Sequence, residues 1–307
     1  MNKKFLSTRK SGFTFFLVLF IAVIIVLGAY RAVTGQSLGL RSWVDLQMYS
    51  IKSNFLAILD SKHVKNLNNG EFSNIIFVHH SVGRNLITVG NLRELLANED
   101  LKLSDQDYNY NGLTDPDGKK KGYSILVPND NTDPDGLAHI FSQTTLPLPI
   151  NTISALQQYE VIIIKSCFPA SAIRSAQQVQ TYKTNYLKIR NTADQHRGQL
   201  IILLTSPPLQ PSETSPEEAA RARQIAEWLS APEFIQGHPN LVVFDFYNLL
   251  AGNDPASADF NMLKQEYQNG IDSHPNEKAN KDVGPVLADF IKISTDQYRS
   301  IFPSLSK

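Results

Sequence analysis

Residues 74–83 read Asn-Ile-Ile-Phe-Val-His-His-Ser-Val-Gly. An apolar, largely β-branched run of strand length that stops abruptly at polar and small residues is the mark of a strand buried on both faces. A parallel sheet covered by helices has no wet face for polar residues to alternate onto. The same signature recurs in Val161-Ile-Ile-Ile-Lys165, Leu200-Ile-Ile-Leu-Leu-Thr205 and Leu241-Val-Val-Phe-Asp245. Stretches with helical spacing follow these runs, from about Arg84 to Asn98, from Ser171 to about Asp194, from Ser215 to Ser230, and from near Asn276 past Phe290. Ser215-Pro-Glu-Glu218 is a good helix start, with Pro in the first turn and acids near the positive end of the helix dipole. Strands alternating with helices predict an α/β fold: a three-layer α/β/α sandwich around a mainly parallel sheet.

Working outward, the 307 residues hold 42% apolar and 19% charged residues with 16 Gly and 16 Pro. This balance excludes collagen-like, coiled-coil and largely disordered chains. Lys plus Arg equals Asp plus Glu at 29 each, yet residues 1–10 hold four of the cations and no acid, leaving 25 cations against 29 acids in the remainder. Nucleic-acid binders draw most of their affinity from a basic surface, so nucleic acid is set aside as a partner.

Phe13 to Tyr30 is an uncharged, almost wholly apolar run of eighteen residues. As a helix it would approach the ~30 Å of a bilayer core. With the basic residues 1–12 before it, it reads as a single-pass signal anchor, amino terminus in the cytoplasm and main domain outside the cell membrane. A cleaved signal peptide is the competing reading; its apolar core is normally only ~7–15 residues. Residues 31–73 read as a helical stem, in which Leu40, Trp43, Leu46, Met48, Ile51, Phe55, Ile58 and Leu59 recur mostly every three or four residues. A first helix packed on the domain fits the same spacing. The domain proper is expected over 74–307. One cysteine, Cys167, makes no intrachain disulfide, so the domain depends on its core.

Residues 104–149 break the strand–helix rhythm. They are rich in Asp, Asn, Gly and Pro, repeat Thr-Asp-Pro-Asp-Gly at 114–118 and 132–136, and read as an insertion crossed by a weak strand at Tyr123–Val127. Asn131-x-Asp133-x-Asp135-Gly136 copies the opening of a Ca²⁺ loop, and Asp107-x-Asn109-x-Asn111-Gly112 has the same form. The Glu expected at the twelfth position falls on Ser142 and Gly118 respectively. Plain turns explain the same residues, and no other cofactor is implied.

In open α/β sheets, ligands bind beyond the carboxyl ends of the strands. The residues met there are His79-His80-Ser81-Val82-Gly83, Lys165-Ser166-Cys167, Thr205-Ser206, Asp245 and, before the last helix, Asp272-Ser273-His274. Hydroxyls, imidazoles and a carboxylate on one edge are the parts of a nucleophile–base relay. Ser81 at a strand-to-helix junction is the nucleophile candidate, and a helix N-cap is its plainer role. His274 is the candidate base, with Asp272 orienting it if the segment is extended. Gly83, Ser166, Lys165 and His80 are candidates for oxyanion or substrate contacts. Lys165 has a plainer reading as a strand-end lysine reaching solvent. Cys167 reads as a small buried residue or a nucleophile paired with His80 or His274, and a metal site from His79, His80 and Asp272 is the weakest alternative.

Ser81 just after the first strand, with Asp272, His274 and a following Pro275-Asn276 late in the chain, resembles the SGNH (GDSL-type) hydrolases. The resemblance covers about residues 74–292. It implies a flavodoxin-like α/β/α fold and hydrolysis of esters, including acyl groups on glycans and lipids, by a serine nucleophile and histidine base. The family's Gly-Asp-Ser-Leu is His79-His80-Ser81-Val82 here, its Asp-x-x-His is shortened to Asp272-Ser273-His274, and its oxyanion-binding Asn has no counterpart where Lys165-Ser166-Cys167 stands. The expectation is a membrane-anchored serine esterase taking a small-molecule or glycan ester. The alternative is a catalytically inactive envelope protein that keeps the scaffold to bind carbohydrate or calcium.

Overall fold

The computed structural model describes residues 40–64 and 74–302. Residues 1–12 and the apolar run 13–30 lie outside the described residues; among those described, no helix is long and apolar enough to cross a membrane. The chain divides into two compact units, Met1–Ile51 and Lys52–Lys307. Helix α1, Leu40–Val64, runs through the boundary. Within the second unit its later half is packed rather than free. Ser53, Ala57 and Ser61 are buried, and Asp60 accepts from the Tyr123 hydroxyl at 2.6 Å and pairs with Lys121.

The second unit is an α/β fold built on a six-stranded, mostly parallel sheet. Its strands are β1 Asn74–Val78, β2 Lys102–Gln106, β3 Leu113–Thr114, β4 Val161–Lys165, β5 Leu200–Leu204 and β6 Leu241–Phe244, in the spatial order β3-β2-β1-β4-β5-β6. Only β3 is antiparallel to its neighbour. Side chains alternate between two apolar cores. Ile76, Val78, Ile162, Ile164, Ile201 and Leu203 join Phe141, Ile189 and Ile225, which belong to helices α4 (Pro134–Phe141), α6 (Ala176–Gln195) and α7 (Pro216–Ser230). Ile75, Phe77, Val161, Ile163, Ile202 and Leu204 join Leu86, Leu96 and Val283, which belong to α2 (Ser81–Thr88), α3 (Leu92–Ala97) and α10 (Glu277–Ile301). Three short helices complete the set: α5 (Thr152–Leu156), α8 (Pro232–Ile235) and α9 (Phe246–Leu250).

Three expectations are corrected. The helix expected from Arg84 to Asn98 begins at Ser81 and is cut in two at Gly90-Asn91, where Asn91 takes a left-handed φ of 57°. Gly90 meets Gly284 of α10 so closely that a Cβ on Gly284 would lie 2.1 Å from the Gly90 carbonyl oxygen. The stretch 104–149 is not a bare insertion: it opens inside β2, contains β3 and α4, and lends Tyr123, Ile125, Val127 and Leu137 to the core. Tyr123–Val127 forms no strand.

Candidate active site

β1 ends at Val78, and two residues later α2 begins, with His80 as its N-cap and Ser81 as its first residue. The serine hydroxyl therefore does not cap the helix. It reaches instead across to the loop before α10, where it lies 2.6 Å from His274 Nε2. That loop is held extended by a residue sequence reasoning overlooked. Ser273 is fully buried, its hydroxyl donates to Glu213 Oε2, and it accepts the Gln210 amide at 2.9 Å. With Ser273 turned inward, Asp272 and His274 fall together on the other side. His274 Nδ1–H donates to Asp272 Oδ2 at 2.8 Å, and the His274 amide donates to Asp272 Oδ1 at 3.0 Å.

Because a carboxylate only accepts, the proton of a neutral His274 sits on Nδ1 and its Nε2 lone pair faces the serine hydroxyl. Asn269, also missed, orients the carboxylate in turn: its amide donates to Asp272 Oδ1 at 2.9 Å, and its oxygen accepts the Ile271 and Asp272 amides. Partial burial pushes the Asp272 carboxyl up. Hydrogen bonds from Asn269 and from the His274 amide and ring outweigh it and leave the carboxyl below its ordinary range. Phe168 sets its ring edge-on to His274 at 4.7 Å. The only sequence sign of these supports is the Asn269-Gly270 turn dipeptide, with Gly270 at a φ of 79°.

The other candidates fall into place around this line. Gly83 is needed for packing as well as approach, since a Cβ there would lie 2.3 Å from His79 Cβ. His80 turns from the serine and stacks on Tyr108 at 4.0 Å between centroids, with Thr132 Oγ1 3.3 Å from its Nδ1. Tyr108 stacks in turn on Tyr110, which is 74% exposed. Lys165 does not reach solvent: it is fully buried, and its ammonium donates to the Ser166 carbonyl at 2.8 Å. Burial pushes the Lys165 amine down, against the pull of Cys167 and Asp133. Ser166 is also fully buried, its hydroxyl against Tyr186. Cys167 Sγ lies 3.7 Å from Ser81 Oγ, so the segment after β4 walls the serine.

The cation readings do not assemble. Asn131 Oδ1 accepts the Asp133 amide and its Nδ2 donates to Asp135 Oδ2, the pattern of a turn entering α4. His79 bonds Asp105 while Asp272 bonds His274, so His79, His80 and Asp272 do not converge. Among the described residues, no group of three or more His, Cys, Asp or Glu side chains could hold a metal ion. Thr205 and Asp245 are structural too: Asp245 caps α9, and Thr205 Oγ1 accepts the Tyr247 amide.

What the arrangement offers chemically is a hydroxyl with an aligned proton acceptor, at a helix start whose first amides have no partner within the helix. No family model, curated protein or solved structure matches the chain.

Proposed function

We propose that this chain is a serine ester hydrolase of the SGNH type. The observation that carries the reading is the unbroken line Ser81 Oγ, His274 Nε2, His274 Nδ1, Asp272 Oδ2, with contacts of 2.6 and 2.8 Å. In this reading Ser81 Oγ attacks the ester carbonyl carbon as its proton passes to His274 Nε2. The tetrahedral oxyanion is met by amides of the first turn of α2 and by the positive end of that helix. His274 then gives the proton to the departing alkoxide, leaving an acyl group on Ser81. Water, deprotonated by the same nitrogen, releases the carboxylate and restores the serine. Asp272 holds the imidazole in the required tautomer throughout and stabilises its charged form.

Setting aside the short antiparallel β3, the parallel strands follow the order β2-β1-β4-β5-β6, which is the flavodoxin-like order with Ser81 at the switch point between β1 and β4. This supports the finer reading of a flavodoxin-like sandwich. A membrane anchor over 13–30 and an extracytoplasmic setting stay with the sequence pattern. The His80–Tyr108–Tyr110 stack beside Ser81 suits a glycan ester, since sugar rings pack on aromatic faces.

The test is turnover of p-nitrophenyl acetate and labelling by a fluorophosphonate. Wild type is expected to show both, and Ser81→Ala is expected to lose labelling and about four to six orders of magnitude in kcat. Equal turnover by Ser81→Ala would defeat the reading. The rival, an inactive carbohydrate-binding protein, draws on the absence of an oxyanion Asn after β4, and it predicts no labelling of wild type.

A further inference from the structure

His79 stands next to this machinery and takes no part in the relay. Its ring is fully buried. Nδ1 lies 2.8 Å from the His80 carbonyl oxygen, and Nε2 lies 3.2 Å from Asp105 Oδ2. A carbonyl oxygen only accepts, and so does an ionised carboxylate. Asp105 is ionised: burial pushes its carboxyl up, but the hydrogen bond and charge of His79 and the charge of Arg93 outweigh it and hold it below its ordinary value. Both ring nitrogens of His79 must therefore donate. A neutral ring would turn a lone pair onto a carboxylate in the interior, where nothing screens the repulsion.

The surroundings accept a cation there. Asp105 is shared with Arg93, and Asp107 pairs with Arg84 at 2.7 Å. The His80 ring is stacked away on Tyr108. Three cations against two carboxylates leave one positive charge in excess beneath the first turn of α2, which rests on His79 through Gly83. The His80 carbonyl that takes the Nδ1 proton also takes the Arg84 amide at 3.0 Å. In a planar trans peptide the carbonyl and the next N–H point in opposite directions. Anchoring this carbonyl on His79 thus turns the Ser81 N–H away from His79.

We infer that His79 is a doubly protonated positioning residue: it sets the plane of the peptide between residues 80 and 81 and backs the first turn of α2 with positive charge, aiming the Ser81 amide at the oxyanion. This rests on the hydrolase reading of Ser81. The experiment is ring ¹⁵N spectroscopy of the full chain labelled with ¹⁵N-histidine, His79→Asn serving to assign the signals, together with fluorophosphonate labelling kinetics. Asn keeps a donor near the His80 carbonyl and removes the charge, whereas His79→Phe removes both. Two protonated nitrogens at neutral pH are expected, with maximal labelling rate reduced at least about tenfold in His79→Asn, further in His79→Phe, and half-saturating probe concentration unchanged. A ring with one bare nitrogen overturns the inference even if the variants are slow, because loss of fold alone could slow them. Wild-type labelling rate in a folded His79→Asn also overturns it. Failure of wild type to label overturns the hydrolase reading, and the service to Ser81 with it, whatever the ring shows.

Discussion

Two residues apart, Asp272 and His274 could as readily diverge as meet. What decides is the residue between them, whose burial beside Glu213 keeps the segment extended. The carboxylate is over a third exposed at its side chain, so its contribution is to orientation rather than to stability. Asp272→Asn tests this. An amide at that position can donate to Nδ1, which moves the imidazole proton to Nε2, where it blocks acceptance from Ser81. The expected outcome is a fall in kcat of about three to four orders of magnitude at neutral pH with KM and Tm nearly unchanged. A fall below tenfold in steady-state hydrolysis would mean the carboxylate is incidental. Ser81 and His274 are legible in the sequence because a strand end and a pre-helix loop are where α/β sheets keep their chemistry. Asn269, Ser273 and Phe168 are not, since each acts only through a neighbour that the fold supplies.

The elements divide in the same way. β1, β4, β5 and β6 announce themselves as unbroken apolar runs, and α7 by its Ser-Pro start. β2 is hidden because its sequence Lys-Leu-Ser-Asp-Gln has one apolar residue; Ser104, Asp105 and Gln106 are buried there by partners that no local pattern names. Glycine at 90 reads locally as a tolerable flaw in one long helix, whereas in the fold it is where α2 ends against α10. That contact joins the helix bearing Ser81 to the one whose N-cap, Asn276, follows His274 by two residues. A methyl on Gly284 would meet only backbone of Gly90, which cannot swing aside. Gly284→Ala is therefore expected to lower unfolding free energy by about 1–3 kcal/mol in urea denaturation. Esterase activity should fall in the folded protein as the serine and histidine separate. Val286→Ala, on the exposed side of the same helix, should alter neither by much, within about 0.5 kcal/mol.

At the scale of the molecule, several carboxyls are held below their ordinary range, but they are of two kinds. Glu217, Glu277 and Asp282 owe the shift to surface partners and are fully exposed. Asp105 and Asp107 resist the upward push of burial because hydrogen bonds and cations, His79, Arg93 and Arg84 among them, outweigh it. A carboxyl whose folded value lies below its unfolded one adds stability that is complete above the unfolded value of about 3.9 and is lost as pH falls through the folded value. Between those limits the unfolded chain binds more protons, so stability must rise with pH. Salt separates the two kinds, since it screens exposed pairs within about 10 Å at 0.1 M and buried ones far less. Urea midpoints measured from about pH 5 down to about pH 2 should therefore fall steadily in wild type, and most of that fall should survive added salt. In Asp105→Asn the midpoint should start lower and the slope below about pH 4 should be shallower, because one of the buried protons is no longer taken up. An unchanged slope would place the acid sensitivity on the surface. It would also remove the buried charge network as the support under the helix that carries Ser81.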